Sequence, residues 1–369
     1  MNSRERVRRA IERRAPDRTP MDFGGTAMSL CTPDFLRAMR EILGYKLPED
    51  RDPDGCWVDE SIQTYLGVDL RWVPWEPPLV QLKDMDVKAY ERKKAEHEKG
   101  KAVRPSGIKN PAVRHSFPMA NYTLAQVRES KPNLLPPPLY MDWITNTAQQ
   151  YRAAGYATTY WVSGGFFEGG CLTRGYDQFA VDLVAEPDLA RALFDLWLEE
   201  KLHQVETVVK PLAPYIDLFC FGDDFGLQTG PFMSPAVFRA MIKPYYIEQY
   251  GRVHAAAPNS RIFHHSCGSI YRLLDDIIEM GVDVLNPIQP GAFEMEPERL
   301  QEKGRGRICF HGGMDLQRLL PFGTCEEIRT EAARRMRILG QNGGYICAPA
   351  HSLPEDVPPE NILALFGRS

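Results

Sequence analysis

The sequence lacks features that would place this protein in several large classes. Its eight cysteines include no C-x-x-C pair, which argues against a zinc finger or a thioredoxin-type motif. No run approaches the roughly 18 apolar residues of a membrane span. No apolar segment follows the basic start, as it would in a signal peptide. We therefore expect a cytoplasmic protein with no membrane attachment and mostly reduced thiols.

The chain also lacks a concentrated positive charge. Its formal net charge is -5 and its pI is about 6.0, whereas nucleic-acid binding requires a clustered basic surface. The one strongly basic stretch, 4–18, also contains Glu5, Glu12 and Asp17, and its apolar residues recur at helical spacing. This stretch is typical of an amphipathic helix, so we expect no nucleic-acid partner.

What the chain does contain is a repeating order of strands and helices. Its 369 residues, 43% hydrophobic and 25% charged, are typical of a globular protein with one large core. Short apolar, β-branched or aromatic runs occur at 19–23, 70–75, 157–162, 217–221, 261–265, 282–286, 307–311 and 344–348. Helical patterns follow most of them, which predicts an α/β protein with a (β/α)8 TIM barrel, spanning 1–369 as a single domain. An open doubly wound sheet is disfavoured because no G-x-G-x-x-G follows a first strand.

Two further patterns refine this architecture. The stretch 83–138 is charged, rich in proline and weakly periodic, and we interpret it as an N-terminal insertion or lid over the barrel mouth. Thr324 and Glu327 have the spacing of a capping box, which predicts a helix start at this point.

Polar side chains follow nearly every predicted strand, where barrel enzymes place their catalytic groups. Asp22, Asp223 and His311 are candidate catalytic residues, because carboxylates and imidazoles transfer protons or orient substrates. Candidate substrate-binding residues are Asp224, Asn286 and Gln289. Each also has a simpler interpretation, since aspartate and asparagine favour turns and a histidine can be hydrogen-bonded beneath a loop.

The segment "FHHSCGS", 263–269, raises the question of a metal site. Alternate residues of an extended chain point to the same face, so His265 and Cys267 project together and His264 projects the other way. Imidazole nitrogen and thiolate sulfur are zinc ligands, and a catalytic site needs a third protein ligand. His351, at the end of the last predicted strand, is our choice, with Cys347 as the alternative. Burial in the core is the competing interpretation of all four.

Several segments resemble the uroporphyrinogen decarboxylase superfamily, among them "FGDDFGLQTGPFMSPAVF", "HHSCGSIYRLLDDIIEMGVDVLNPIQP" and "GGYICAPAHSLPEDVPPENILAL". They are most similar to its methyltransferase-like branch, which includes methylcobalamin:coenzyme M methyltransferases and corrinoid-dependent demethylases. The resemblance implies a (β/α)8 barrel and a zinc ion held by an H-x-C pair and a later cysteine. His265 and Cys267 match the pair, and the later cysteine falls on His351, a change from sulfur to nitrogen.

The resemblance further implies a zinc-dependent methyltransferase that moves a methyl group between a small methoxylated or thiol substrate and a corrinoid (cobalamin), with demethylation as the expected direction. The chain has no D-x-H-x-x-G corrinoid motif, so the cobalamin would be carried by a partner protein or be free. A homodimer is expected by analogy. The alternatives are a decarboxylase or lyase of a small carboxylic or porphyrinogen-like acid, and a non-catalytic corrinoid-binding barrel. Porphyrinogen decarboxylation ranks lower, because "PMDFGGTAMSLCTPDF" has no arginine where those enzymes grip carboxylates.

Overall fold

The protein contains a curled sheet of seven parallel strands. The computed structural model describes residues 1–46, 57–77, 85, 88 and 117–368. The strands, which lie in the sheet in chain order, are β1 (Leu70–Trp72), β2 (Ala157–Ser163), β3 (Leu218–Gly222), β4 (Arg261–His265), β5 (Val284–Asn286), β6 (Cys309–Met314) and β7 (Tyr345–Pro349). Each pairs in parallel with the next. The α/β class and seven of the eight predicted strands are therefore confirmed.

The predicted first strand, 19–23, is reduced to a single parallel bridge between Met21 and Cys347 of β7. The N–H of Asp69, just before β1, donates to the Met21 carbonyl over 2.9 Å. Pro20 has no N–H to donate, which limits how far the pairing extends. This segment thus contacts both edges of the sheet without forming a full strand.

Helices surround the sheet. The α-helices of the described ranges are Ser3–Ile11, Pro33–Leu43, Glu60–Leu66, Leu124–Glu129, Met141–Ala153, Phe166–Arg174, Tyr176–Ala185, Pro187–Gln204, Lys210–Leu212, Pro235–Val237, Lys243–Ala256, Leu274–Glu279, Pro297–Gly304, Leu319–Phe322, Cys325–Leu339 and Pro359–Leu365. Single turns of π- or 3-10 helix occur at Val205–Val209, Phe238–Ile242 and Tyr271–Leu273, and Gly226–Leu227 pairs with Gly230–Pro231 in a short hairpin. No helix in these described ranges is long and apolar enough to cross a membrane.

The basic N-terminal stretch forms the predicted amphipathic helix, as Ser3–Ile11, and its apolar side is buried. Val7, Ala10 and Ile11 pack on side chains that the strands point inward, such as Leu218 and Phe263. A larger core lies between the strands and the outer helices. The helix therefore covers one end of the curled sheet, and the carboxyl ends of the strands lie at the other end.

The predicted capping box is confirmed at helix Cys325–Leu339, where Thr324 and Glu327 exchange backbone and side-chain hydrogen bonds. The lid prediction for 83–138 falls mostly outside the described residues. Its described end, 117–138, contains the helix Leu124–Glu129.

Candidate active site

The structure brings His265, Cys267 and His351 together at the carboxyl ends of β4 and β7. One potential ligand atom from each residue lies within 4.8 Å of the others. His265 Nε2 is 3.3 Å from Cys267 Sγ, and the rings of His265 and His351 are 5.3 Å apart. The expected proximity of these three side chains is therefore confirmed, while metal binding by them stays a prediction.

The three side chains differ in how firmly they are held. His265 is buried and Cys267 half-buried, whereas His351 is exposed. The backbone N–H of Ser352 donates to His351 Nδ1 over 2.8 Å, so this nitrogen has to exchange a partner before it can bind a cation. Burial lowers the pKa of His265 and raises the pKa of the Cys267 thiol to about 12. The cluster without a metal thus contains a neutral imidazole beside a protonated thiol.

Cys347, the alternative third ligand, is not part of the cluster. It is fully buried among the side chains that face the outer helices, whereas its neighbour Ile346 faces the inside of the sheet. Side chains alternate along a strand, so β7 directs the Cys347 thiol away from His265. The structure therefore does not bring Cys347 to the other two ligand candidates, whereas it does bring His351 there.

His264 belongs to the outer core, as the alternation along β4 predicts. Its Nδ1 lies 2.7 Å from the hydroxyl of Tyr250, and its ring stacks on Phe225 at 5.4 Å between centroids. Burial lowers the pKa of His264 to about 3, so the ring is neutral at physiological pH. Of the two adjacent histidines, one is a core residue and the other faces the cluster.

Asp224 and Gln289, predicted to bind substrate, hold the loop that carries Cys267. The Cys267 N–H donates to Asp224 Oδ1 over 2.7 Å, and this oxygen is 3.6 Å from His265 Nε2. The Gly268 N–H donates to Gln289 Oε1 over 2.8 Å. Asp224 therefore lies beside the cluster with a partly exposed carboxylate, and substrate contact by either residue stays a prediction.

Asp22, Asn286 and His311, from three separate sequence motifs, are connected by hydrogen bonds on the inner side of the curled sheet. His311 Nε2 lies 2.9 Å from Asp22 Oδ2, and Asn286 Nδ2 lies 2.8 Å from His311 Nδ1. Asn286 Oδ1 accepts from His265 Nδ1. Because all three side chains are fully buried and engaged, these contacts favour positioning of the cluster over direct contact with substrate. The predicted catalytic and substrate-binding roles remain untested.

Asp223, the third predicted catalytic residue, is also fully engaged. Its carboxylate accepts hydrogen bonds from the N–H groups of Phe167 and Glu168, both at 2.8 Å, and from the Tyr246 hydroxyl at 2.7 Å. Burial raises the pKa of Asp223 to about 6. Asp223 thus fixes the start of helix Phe166–Arg174 to the end of β3. This is a structural role, in line with the simpler interpretation of Asp223 as a residue that stabilises a turn.

Sequence reasoning missed two ionisable residues near Asp223. Burial and the carboxylates of Asp223 and Asp224 raise the pKa of Glu168 to about 7. Lys201 is buried, donates to the Gly164 carbonyl, and has its pKa lowered to about 8 by burial. Both lie inside helices, where a charged residue normally indicates a solvated face, so no local pattern distinguishes them.

Trp161 packs against Gly222 at the end of β3, next to the strand that carries His265. A Cβ added at Gly222 would lie 2.7 Å from the indole Cη2 of Trp161 and 3.5 Å from the Cβ of His265. Only glycine at 222 therefore leaves room for the indole. A cleft of about 350 Å³, lined by residues that include Trp75, Tyr140 and Trp161, contains none of the three cluster residues.

The comparisons with known proteins concern the part of the chain that carries this site. The family model of uroporphyrinogen decarboxylase (URO-D) matches residues 162–368, which is more than half of the chain. This chain belongs to the uroporphyrinogen decarboxylase family. The match includes β3 to β7 and therefore the strands that carry His265 and His351. No curated protein matches the sequence closely enough to be reported as a relative.

A solved methyltransferase structure shares the fold of this family member at low sequence identity. A methyltransferase from Methanosarcina mazei superimposes with a TM-score of 0.59 and 14% identity, over 100% of this chain and 98% of that chain. A psychrophilic glycoside hydrolase family 10 endo-β-1,4-xylanase reaches a TM-score of 0.38 and 8% identity, over 61% of this chain and 80% of that chain. The first likeness shows a common fold, and the second is too weak to support any argument.

Proposed function

We propose that this protein is a zinc-dependent methyltransferase that transfers a methyl group between a small substrate and a corrinoid. The observation that carries the proposal is the cluster of His265, Cys267 and His351. Two imidazoles and one thiol form a donor set that suits zinc, and their ligand atoms lie within 4.8 Å of one another. The fold shared with a methyltransferase agrees with this choice of reaction.

His265, Cys267 and His351 would hold the zinc and leave one coordination position open. In that position zinc supplies Lewis acidity, which stabilises the negative charge on the oxygen or sulfur atom of the substrate. Binding would displace the thiol proton of Cys267, because only the thiolate is a good ligand.

Glu168 is the residue we expect to move the substrate proton. Burial and the charges of Asp223 and Asp224 raise the pKa of its carboxyl group. Glu168 itself contributes, after burial and Asp224, to the raised pKa of Cys267, which places it near the loop next to the cluster. With a pKa of about 7, Glu168 is partly protonated at neutral pH. A group poised in this way can deliver a proton to a leaving alkoxide or phenolate and be recharged from water. Asp224, with its partly exposed carboxylate, would orient the substrate.

A small methoxylated compound, with demethylation as the direction of transfer, is the substrate that the sequence resemblance favours over a thiol.

The corrinoid would come from a partner protein or from solution. Methyl transfer requires it to meet the substrate at the open ends of the strands, where the cluster lies. A corrinoid protein as partner, a homodimer and demethylation as the direction of transfer are proposals that follow from the sequence resemblance. A cytoplasmic location is a separate proposal, which follows from the sequence itself.

Elemental analysis of the purified protein tests the proposal, with two cysteine variants prepared in parallel. We expect near-stoichiometric zinc in the wild type, and its loss in Cys267→Ala. Cys220→Ala is the matched control, because Cys220 is a buried thiol of β3 outside the cluster, and it should keep its zinc. The zinc-loaded protein is then assayed with cob(I)alamin and small methoxylated compounds, and with methylcobalamin and thiols.

A metal-free wild type that still turns over a substrate would refute the zinc mechanism. In that case the alternative, a lyase that decarboxylates a small acid, would be favoured, and it predicts activity that a chelator leaves unchanged. Zinc binding without turnover in any of these assays would instead indicate a non-catalytic binding protein.

A further inference from the structure

A continuous chain of hydrogen bonds crosses the inner side of the curled sheet from the cluster to Asp22. Cys267 Sγ lies 3.3 Å from His265 Nε2, and His265 Nδ1 lies 2.5 Å from Asn286 Oδ1. Asn286 Nδ2 lies 2.8 Å from His311 Nδ1, and His311 Nε2 lies 2.9 Å from Asp22 Oδ2. From His265 to Asp22, every side chain is at most 6% exposed, so bulk water does not compete for these contacts.

This chain of hydrogen bonds has one direction. The atom of Asn286 that contacts His311 Nδ1 is the amide nitrogen, which can only donate, so His311 Nδ1 accepts. The ring of His311 therefore carries its proton on Nε2, which donates to the carboxylate of Asp22. Asp22 also accepts from the Gly25 N–H and the Ser29 hydroxyl, which fixes that end.

The same logic continues to the cluster. The amide of Asn286 directs its NH2 to His311, so its oxygen faces His265 and accepts from the Nδ1–H. His265 then has no proton on Nε2, and this nitrogen accepts from the thiol of Cys267. Each donor in the chain points toward Asp22, and the lone pair of His265 Nε2 points toward the cluster.

We propose that Asn286, His311 and Asp22 are positioning residues that hold His265 in the tautomer with its proton on Nδ1 and its Nε2 lone pair directed into the cluster. The use of that lone pair as a zinc ligand rests on the proposed function. The tautomer itself does not, because it is a property of the metal-free protein.

This tautomer matters because a metal binds only a ring nitrogen that carries no proton. In the opposite tautomer the Nε2–H would face the cluster, and the proton would have to move before a cation could bind. Partners that fix the tautomer of a ligating histidine typically change metal affinity by roughly 10- to 100-fold when they are removed. Asp22 would exert this influence from the far end of the chain.

The substitution Asp22→Asn should exchange donor and acceptor in every hydrogen bond between Asp22 and His265. The new amide keeps its oxygen on the Gly25 N–H and directs its NH2 toward His311 Nε2, which then has to accept. His311 would carry its proton on Nδ1 and donate it to Asn286, whose amide turns over. The NH2 of Asn286 would then donate to His265 Nδ1, which leaves the proton of His265 on Nε2.

NMR of the metal-free, ¹⁵N-histidine-labelled protein tests this directly, since long-range ¹⁵N–¹H correlations distinguish the two tautomers. We expect the Nδ1–H form of His265 in the wild type and the Nε2–H form in Asp22→Asn. His264 is an internal control, because its Nδ1 contacts Tyr250 and it lies outside the chain. Its signals should stay unchanged in Asp22→Asn and shift in Tyr250→Phe, which in turn should leave His265 unchanged.

An Nε2–H tautomer of His265 in the wild type would overturn the proposal, and this measurement needs no variant to fold. An unchanged His265 tautomer in a folded Asp22→Asn protein would overturn it as well.

Zinc affinity, measured by competition with a chromophoric chelator, provides the second readout. We expect Asp22→Asn to bind zinc roughly 10- to 100-fold more weakly than the wild type. Ser29→Ala, which removes one donor to Asp22 without changing the direction of the chain, should remain close to wild type. Equal affinity in Asp22→Asn and the wild type would refute the positioning role. A wild type that binds no zinc would overturn the proposed function, whereas the NMR result would still decide the tautomer.

Discussion

Removing the Tyr246 hydroxyl should destabilise the protein by an amount that depends on pH. This hydroxyl donates to Asp223, which also accepts two backbone N–H groups at the start of helix Phe166–Arg174. Burial raises the pKa of Asp223 from 3.8 to about 6. Tyr246→Phe deletes one of the donors that stabilise the ionised carboxylate and leaves the packing nearly unchanged.

The sign of the pH dependence follows from the raised pKa. Below the unfolded-state pKa of about 4, Asp223 is protonated in both states and its shift has no effect on stability. As the pH rises through about 6, the folded protein loses stability, by roughly 3 kcal/mol for a shift of about two units. Tyr246→Phe should raise the pKa of Asp223 further and enlarge this loss.

The magnitude follows from the kind of hydrogen bond that is lost. A hydrogen bond to a charged group contributes about 1.5–3 kcal/mol and one between neutral groups about 0.5–1.5 kcal/mol. We therefore expect Tyr246→Phe to lower the free energy of unfolding by about 1.5–3 kcal/mol near pH 8, and by about 0.5–1.5 kcal/mol near pH 5, where Asp223 is largely protonated. Urea unfolding followed by circular dichroism at both pH values measures the difference.

Tyr250→Phe is the matched control, one helical turn away and equally buried. Its hydroxyl contacts His264, whose pKa of about 3 keeps the ring neutral in the folded protein at both pH values. Tyr250→Phe should therefore lower the free energy of unfolding by about 0.5–1.5 kcal/mol at both pH values. If the two variants lose the same free energy at both pH values, then Asp223 is not a buried carboxylate that Tyr246 stabilises.

Three further predictions concern the cluster and its surroundings. Gly222→Ala places a Cβ 2.7 Å from the Trp161 indole, so urea unfolding should show a free energy of unfolding lower by about 1–3 kcal/mol. Gly164→Ala is the control, because a Cβ there meets nothing within 4 Å, and it should change the free energy of unfolding by less than about 0.5 kcal/mol. His351→Ala should reduce zinc affinity in calorimetric titration less than removal of either other ligand, by a difference of about 1 kcal/mol or fivefold. The reason is that His351 is exposed, so its side chain has to be ordered when zinc binds. An equal or larger loss would contradict this. Glu168→Gln should lower the rate of demethylation by roughly 10²- to 10⁴-fold. In the wild type the rate should decline above about pH 7, because Glu168 loses its proton there, and the variant should lack this decline. An unchanged pH profile would exclude Glu168 as the proton donor.

Local patterns in the sequence predicted most of the fold. Strand periodicity located β1 to β7, because each strand is a short apolar run with a helix pattern behind it. The segment 19–23 has the same composition but forms only the bridge at Met21. Whether this segment pairs as a strand depends on its backbone hydrogen bonds with the edges of the sheet, and local composition does not determine these.

The candidate site was predictable in part. Alternation along β4 placed His265 and Cys267 on one face and His264 on the other, because that alternation is a property of any extended backbone. The same alternation separates Cys347 from the cluster once the inward residues of β7 are known, but the sequence alone does not say which residues face inward. Glu168 and Lys201 escaped prediction, because their altered pKa values come from burial against distant segments.

The sequence by itself determined which residue types stand at the ends of the strands, and therefore that the chain carries imidazole, thiol and carboxylate groups at one end of a parallel sheet. Only the tertiary structure decided which of them meet. Asp22 and His311 are 289 positions apart, and Asn286 joins them to His265 only because the sheet curls. Hydrogen-bond direction and burial are properties of the assembled site, so they arise when separate strands are packed together.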